Sequence, residues 1–447
     1  MDFRQKPLWI MEKDAGAVFK AGLAAVDAET SIDRTCRRND DRLIIGNDSY
    51  DLSSYNKVFV IGAGKAVAPM GAAMERLLGD RLTGGLLVVK YGHTRPLIRL
   101  KTIEAGHPLP DEKGEEGALE ILKIARQATA EDLIICLLSG GGSALLPLPA
   151  PGISLKDKQE TMSLLLACGA SIAEINALRK HLSAIKGGQL ARAAHPAALI
   201  TLMISDVVGN DPAVIASGPT VPDPSTYADC RRILEKYRLH SSLPEVVTRH
   251  LASGWDGQKD ETPKSDDPVF LKTRALICAD NRAALLAAQG QARRLGYETM
   301  ILSSSIEGET RDVARMHVAI AREILTSGNP VSPPACLLSG GETTVTLRGS
   351  GRGGRNQEFC LAAAGDISDT KRILIFSAGT DGSDGPTEAA GAVMHFDLLK
   401  KADALGLSPR AYLENNDAYT FFSKTDGLIL TGPTGTNVMD LRIILIG

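Results

Sequence analysis

The stretch that decides the fold is KVFVIGAGKAVAPMG, residues 57–71. Lys57 to Ile61 is a short run of β-branched and aromatic residues, the pattern of a strand covered on both faces. Gly62, Gly64 and Lys65 then turn the chain into an apolar segment with helical spacing. A strand, a glycine turn and a helix start in that order let the backbone pass close to an anion and aim N–H groups at it.

The same alternation continues outward. Strand-like runs stand at 84–89 (GGLLVV), 133–138 (LIICLL) and 198–204 (ALITLMI), with helical stretches at 113–128 and from about 157. Ala15 to Val26 also has helical spacing. After the polar stretch 253–268 the alternation restarts with ALIC (275–278), TMIL (299–302), ACLL (335–338), ILIF (373–376) and ILIL (443–446), separated by helical segments. This predicts an α/β fold with a mainly parallel sheet in the first domain and a second α/β domain. The expected boundaries are 1–245 for the first domain, 246–269 for a linker or loop, and 270–447 for the second.

The 447 residues carry 50 Lys+Arg against 53 Asp+Glu, so the chain has no broad positive field for nucleic acid. Its length exceeds what one core normally organises. Seven cysteines without a C-x-x-C pair suit buried, reduced thiols and a cytoplasmic setting. No signal peptide is legible at the N-terminus. Residues 133–155 are uncharged, but four glycines and three prolines interrupt them, so no membrane span is expected. The partners expected are small molecules, with self-association left open.

The 44 glycines cluster after predicted strands, where open parallel sheets bind ligands. The first cluster, Gly62 to Val67, begins like a dinucleotide fingerprint. Val67 stands in its third glycine place, however, and Lys90 ends the next strand where a ribose-binding acid is wanted. The competing reading is a tight turn with an exposed lysine. The second cluster, Ser139, Gly140, Gly141, Gly142 and Ser143, offers successive N–H groups and two hydroxyls to phosphate or carboxylate oxygens. After the strand at 198–204 come Asp206, suited to proton or metal chemistry, Asn210, and Asp211, divided between capping a turn and binding. Gly340, Gly341 and Glu342 repeat the second cluster's pattern in LLSGGE. Arg352, Arg355, Asn356 and Gln357 join a glycine-rich loop to a helix start, an expected anion trap. Asp381 lies in an acidic glycine loop that suits Mg²⁺. His107 and His181 lack a nucleophile at diagnostic spacing, which leaves structural or positioning roles.

Taken in order, VIGAGKAVAPM, AGHPLPDE, LLSGGGSALL, INALRKHLSAIKGGQLA, SDVVGNDPAVIASGPTVPD, LSGGETTVTLRGSGRGGRNQE, SAGTDGSDGPTEAAGA and TGPTGTNVMDL resemble the glycerate 2-kinases whose C-terminal part is the MOFRL domain. The resemblance covers residues 15–447, with the MOFRL region at about 335–447. It implies a Rossmann-like first domain, an active site in an interdomain cleft, and ATP-dependent, Mg²⁺-assisted phosphorylation of D-glycerate to 2-phosphoglycerate. It also points to Lys65 and Arg355, with Arg352 beside it, as active-site residues. Phosphoryl transfer needs positioning and charge neutralisation more than a covalent nucleophile. The leading assignment gives Lys65 to phosphate, Arg355 to substrate carboxylate or transition-state charge, and Asp206 to the reacting hydroxyl. The alternative is an NAD(P)H-dependent hydroxypyruvate reductase, a label carried by some relatives of that family.

Overall fold

The computed structural model describes residues 6–447 as two compact units. One unit is Ala28–Cys278. It opens with a small antiparallel sheet, β1 (Cys36–Asn39), β2 (Arg42–Ile45) and β3 (Asp48–Asp51). Its main sheet holds β4 (Lys57–Ala63), β5 (Leu82–Lys90), β6 (Leu100–Ala105), β7 (Asp132–Leu138), β8 (Ala198–Ile204) and β9 (Thr273–Ala279). Their order is β6-β5-β4-β7-β8-β9, and the ladders from β6 through β8 are all parallel. Every residue of β7 is buried, because helices cover both faces of a parallel sheet. From β4 the chain moves outward through β5 and β6, then returns to β7 on β4's other side. The carboxyl ends of β4 and β7 therefore flank the topological switch point, where such sheets open a crevice for ligands.

The other unit holds the segment ending at Asp27 together with Ala279–Gly447. Its sheet contains β10 (Glu298–Ile306), β11 (Ala335–Gly341), β12 (Ile373–Gly379), β13 (Gly391–His395), β14 (Leu428–Ile429) and β15 (Asp440–Ile446), in the order β10-β11-β15-β12-β13-β14. Only β10 and β11 pair in parallel; the remaining ladders are antiparallel. This sheet is thus mixed. The last strand, β15, is wholly buried and lies between β11 and β12.

Three expected boundaries are corrected. The first domain does not include the N-terminal helix Leu8–Ala25, whose Phe19 ring packs 5.3 Å from that of Phe376 in β12. At Gly22 of the same helix a Cβ would come within 2.8 Å of Leu441 Cδ1 in β15, so the helix lies close against that strand. Residues 246–269 are no linker. Helix Glu245–Trp255 fills much of the stretch, Thr262 donates to the buried Asp223 carboxylate at 2.9 Å, and Glu261 meets the His181 ring at 3.1 Å. Finally, ALIC lies in β9 and closes the first sheet rather than starting the second. Polar composition does not separate a tethered surface loop from a true linker.

No helix among the described residues is long and apolar enough to cross a membrane. The segment 133–155 resolves into β7, a turn and the start of helix Leu155–Ala167.

Gly62 is the tightest point in the central pairing, since a Cβ there would lie 2.3 Å from the Leu137 carbonyl oxygen. Gly62→Ala should force β4 from β7 and destabilise the unit by about 1–3 kcal/mol in urea unfolding, with the slope unchanged.

Candidate active site

At the switch point the first two glycine clusters form one structure. The Ala66 N–H donates to Ser139 Oγ at 2.9 Å, the Lys65 N–H to the Gly140 carbonyl at 2.9 Å, and the Ser139 N–H to the Ala63 carbonyl at 3.3 Å. Gly64, at φ 149°, permits this contact, because a Cβ would stand 2.1 Å from Ser139 Oγ. Of the five successive N–H groups expected to face a ligand, those of Ser139 and Gly142 are spent within the fold. Ser139 is fully buried and serves as a clamp, and the Gly142 N–H donates to its carbonyl at 3.2 Å. Gly62 likewise belongs to the β4 ladder. Gly141, at φ 86°, carries the turn, and a Cβ there would lie 3.0 Å from the His107 ring and 3.3 Å from Lys65 Cγ. Lys65, His107 and Gly141 thus share one corner.

Beside that corner lies a cavity of about 490 Å³, lined in part by His107, Gly141, Ser143, Lys158, Arg179 and Lys186. Two capped helices build its wall. Ser154 and Asp157 form a capping box for Leu155–Ala167, and Ser171 and Glu174 do the same for Ile172–His181. Lys158 is 5% exposed and donates to the Pro147 carbonyl at 3.0 Å; Lys186 is 1% exposed and donates to the Ser143 carbonyl at 2.8 Å. Arg179 donates to Asn176 Oδ1 at 2.7 Å, and the same oxygen accepts from Ser217 Oγ at 3.4 Å. Ser217 and Ser143 join through their hydroxyls at 2.7 Å. Ala216 and Ser217 hold positive φ of 51° and 61°, a strained pair of the kind that clusters at functional sites. Among the described residues, no carboxylate forms an ion pair with Lys158, Arg179 or Lys186. Burial lowers the pKa of Lys158 to about 7, helped by Arg179, and that of Lys186 well below its ordinary value, helped by Lys158 and Arg179. Burial lowers Arg179 too.

Asp206 lies two residues beyond β8, half-buried, at the same edge of the sheet as Ser139. Asn210 takes a left-handed φ of 57° in a short turn. Asp211 proves to be a cap: its carboxylate accepts the Ala213 N–H at 2.8 Å, and its carbonyl accepts those of Val214 and Ile215.

The second unit corrects the anion-trap reading. The start of helix Arg355–Ala362 is occupied by the protein's own Asp384, which accepts the Asn356 N–H at 3.1 Å and the Gln357 N–H at 2.9 Å. Asn356 and Gln357 are buried. Their side chains bond Asp384, Asp440, Ser377 and Thr387. Burial lifts the Asp384 pKa to about 6 against the pull of those two N–H groups, with Asp440 adding to the rise. Arg355 grips Asp440 through Nε at 2.7 Å and Nη2 at 3.0 Å, and meets Glu342 through Nη1 at 2.9 Å. Burial opposes its charge, but Asp440 and Glu342 outweigh burial and raise its pKa. Arg442, 1% exposed, donates to the other face of the network at Asp440 Oδ2, 3.0 Å.

Arg352 does not join Arg355. It is exposed, pairs with Glu388 at 2.8 Å and stacks on Tyr419 at 4.4 Å. Gly340 and Gly341 are ladder residues opposite Leu441 and Asp440, so the SGG echo ends inside a strand where its counterpart turns. A Cβ on Gly340 would strike Asn281 at 1.7 Å. Asp381 accepts from the Ser383 N–H and hydroxyl at 3.0 Å. Among the described residues, no group of three acidic, histidine or cysteine side chains stands at metal-binding spacing.

Sequence reasoning missed the buried cations. The signal was present for Lys158, which occupies an inward position between Leu155 and Met162 of an otherwise apolar helical stripe.

Residues 14–252 match the model of a domain of unknown function, DUF4147, and residues 335–440 match the MOFRL family. A glycerate 2-kinase of Pyrococcus horikoshii is 41% identical, over 95% of this chain and 94% of its own. A putative hydroxypyruvate reductase of Agrobacterium vitis is 46% identical, over 87% of this chain and 99% of its own. The crystal structure of a glycerate kinase from Thermotoga maritima superposes with a TM-score of 0.86 at 37% identity, covering 98% of this chain and 99% of that one.

The lowered Lys158 pKa has a definite sign in stability. Between about pH 7 and its ordinary 10.5 the unfolded chain carries a proton that the folded chain does not, so stability rises with pH across that window. In urea titrations Lys158→Met should remove about 2 kcal/mol of the rise between pH 7 and 9. An unchanged slope would mean that Lys158 stays charged in the fold.

Proposed function

Because the chain belongs to the glycerate 2-kinase family, we propose that it transfers the terminal phosphoryl group of ATP to the 2-hydroxyl of D-glycerate, giving 2-phosphoglycerate and ADP. The observation that carries this reading is the switch-point corner, where a clamped glycine turn and Lys65 stand beside Lys158, Arg179 and Lys186, which among the described residues form no ion pair with a carboxylate. Phosphoryl transfer asks a protein for positioned cations and an oriented hydroxyl, and this corner supplies the cations. Seven free cysteines fit a reducing cytoplasm as the place of work.

Lys65 is assigned to an oxygen of the transferring phosphoryl group. Its backbone N–H is already tied to Gly140, so the side chain leaves a fixed base. Asp206 is assigned to the glycerate hydroxyl, whose proton it accepts as the oxygen attacks phosphorus. Arg355, whose guanidinium is held by Asp440 and Glu342, is assigned to the substrate carboxylate or transition-state charge. Mg²⁺ would screen the phosphate oxygens during transfer, and carboxylates are the donors it prefers. Asp381, at the acidic loop after β12, is the residue proposed to hold it.

The reductase reading lacks support in the first loop. β5 ends in Lys90, where a nicotinamide site wants an acid to hold the ribose hydroxyls. Nicotinamide absorbance with hydroxypyruvate tests it directly, and sustained cofactor oxidation would displace the kinase reading.

Incubation with ATP, Mg²⁺ and D-glycerate should yield 2-phosphoglycerate by phosphorus NMR, whereas 3-phosphoglycerate would refute the regiochemistry. Lys65→Ala should lower kcat by roughly 10²–10³ with the fold intact, and Asp206→Asn should lower it too. Wild-type turnover in either variant removes that residue's role.

A further inference from the structure

The cavity beside Lys65 is much larger than a three-carbon acid needs and lies in the range of pockets that enclose whole cofactors, about 300–1,000 Å³. Its floor and its rim differ in chemistry. The floor carries the buried Lys158 and Lys186 with the half-buried Arg179, whose hydrogen-bond partners among the described residues are neutral oxygens: the carbonyls of Pro147 and Ser143 and the amide of Asn176. The rim is apolar: Leu166 is 67% exposed and Leu109 78% exposed.

The two buried lysines and half-buried Arg179, with no carboxylate ion pair among the described residues, are costly to charge unless an anion joins them. A single carboxylate would neutralise one of the three, whereas a polyphosphate matches the whole set. The large apolar rim has no use for glycerate, which is polar along its length, but suits the flat face of a nucleobase. The direction is also fixed. Lys186 is tied to the Ser143 carbonyl, and Gly141 of the same turn abuts Lys65, so the cationic end adjoins the corner assigned to transfer.

We propose that this cavity is the nucleotide site, with the polyphosphate of ATP on Lys158, Arg179 and Lys186 and the base held at the rim against Leu166 and Leu109. The terminal phosphate then points to Gly141 and Lys65. That the nucleotide is ATP rests on the kinase reading; the polyphosphate and base chemistry rests on the cavity alone.

Calorimetric titration with ADP on the full chain tests the site. Lys158→Met should weaken ADP by at least roughly tenfold, the loss of one charge-assisted contact, and raise KM for ATP in parallel. Leu166→Glu, an exposed change that leaves folding alone, should weaken ADP similarly by putting a carboxylate at the base seat. KM for D-glycerate should stay within about twofold in both. Unchanged ADP affinity in Leu166→Glu and in a folded Lys158→Met overturns the assignment, as does a rise confined to the glycerate KM. A wild-type chain that binds ADP in this variant-sensitive way but makes no phosphoglycerate keeps the site and loses the kinase reading. Efficient 2-phosphoglycerate formation with variant-insensitive ADP binding does the reverse.

Discussion

The carboxyl edge of the first sheet depends on one contact, the Ala66 N–H donated to the Ser139 hydroxyl. It joins two loops that follow neighbouring strands, and it exists only because Gly64 has no side chain to fill the gap. With the loops clamped, their backbone groups are mostly satisfied by one another. The chemistry left for a ligand passes to side chains: Lys65 on one loop, Ser143 on the other, and the cations that reach the cavity from the capped helices. Preorganisation of this kind removes the reorganisation that flexible glycine loops would otherwise undergo on binding.

The second unit solves the same electrostatic problem differently. Its helix start at Arg355 is filled by Asp384, and Arg355 and Arg442 close on Asp440. The carboxylates of Asp384 and Asp440 are paired from within and hold this helix start as a rigid frame, while Arg442 Nε and Nη1 and Gln357 Oε1 are buried without a hydrogen-bond partner among the described residues. Breaking one partner would leave an uncompensated buried charge, which is why such sets are held or lost together. Arg355 alone keeps an edge toward the surface, through the exposed Glu342.

Much of the fold was legible because buried strands write themselves as uninterrupted apolar runs. LIICLL and ALITLMI fall within β7 and β8, and the helices at 113–128 and from about 157 fall where expected. Sheet membership was not legible: ALIC in β9 and the helix at Leu8–Ala25 have ordinary local patterns, and only packing decides which sheet receives them. The site divided along the same line. The glycine turns around Gly64 and SGGGS were legible because glycine clusters are local. Whether a glycine lines a cavity, as Gly141 does, or packs against another element, as Gly340 meets Asn281, depends on distant chain. Lys158 and Asp384 were missed for a related reason, since a lysine or aspartate in sequence carries no mark of burial.

The pairing of the N-terminal helix with β12 and β15 has a consequence for the order of assembly on the ribosome. Helix Leu8–Ala25 emerges before almost everything it touches, and β15, the strand at the middle of its sheet, emerges after every other strand described. Ala28–Cys278 can close its own core while the helix waits with Met11, Ala15, Val18 and Phe19 uncovered. The apolar face of that helix therefore stays uncovered through most of synthesis, until β15 arrives to complete the sheet beneath it.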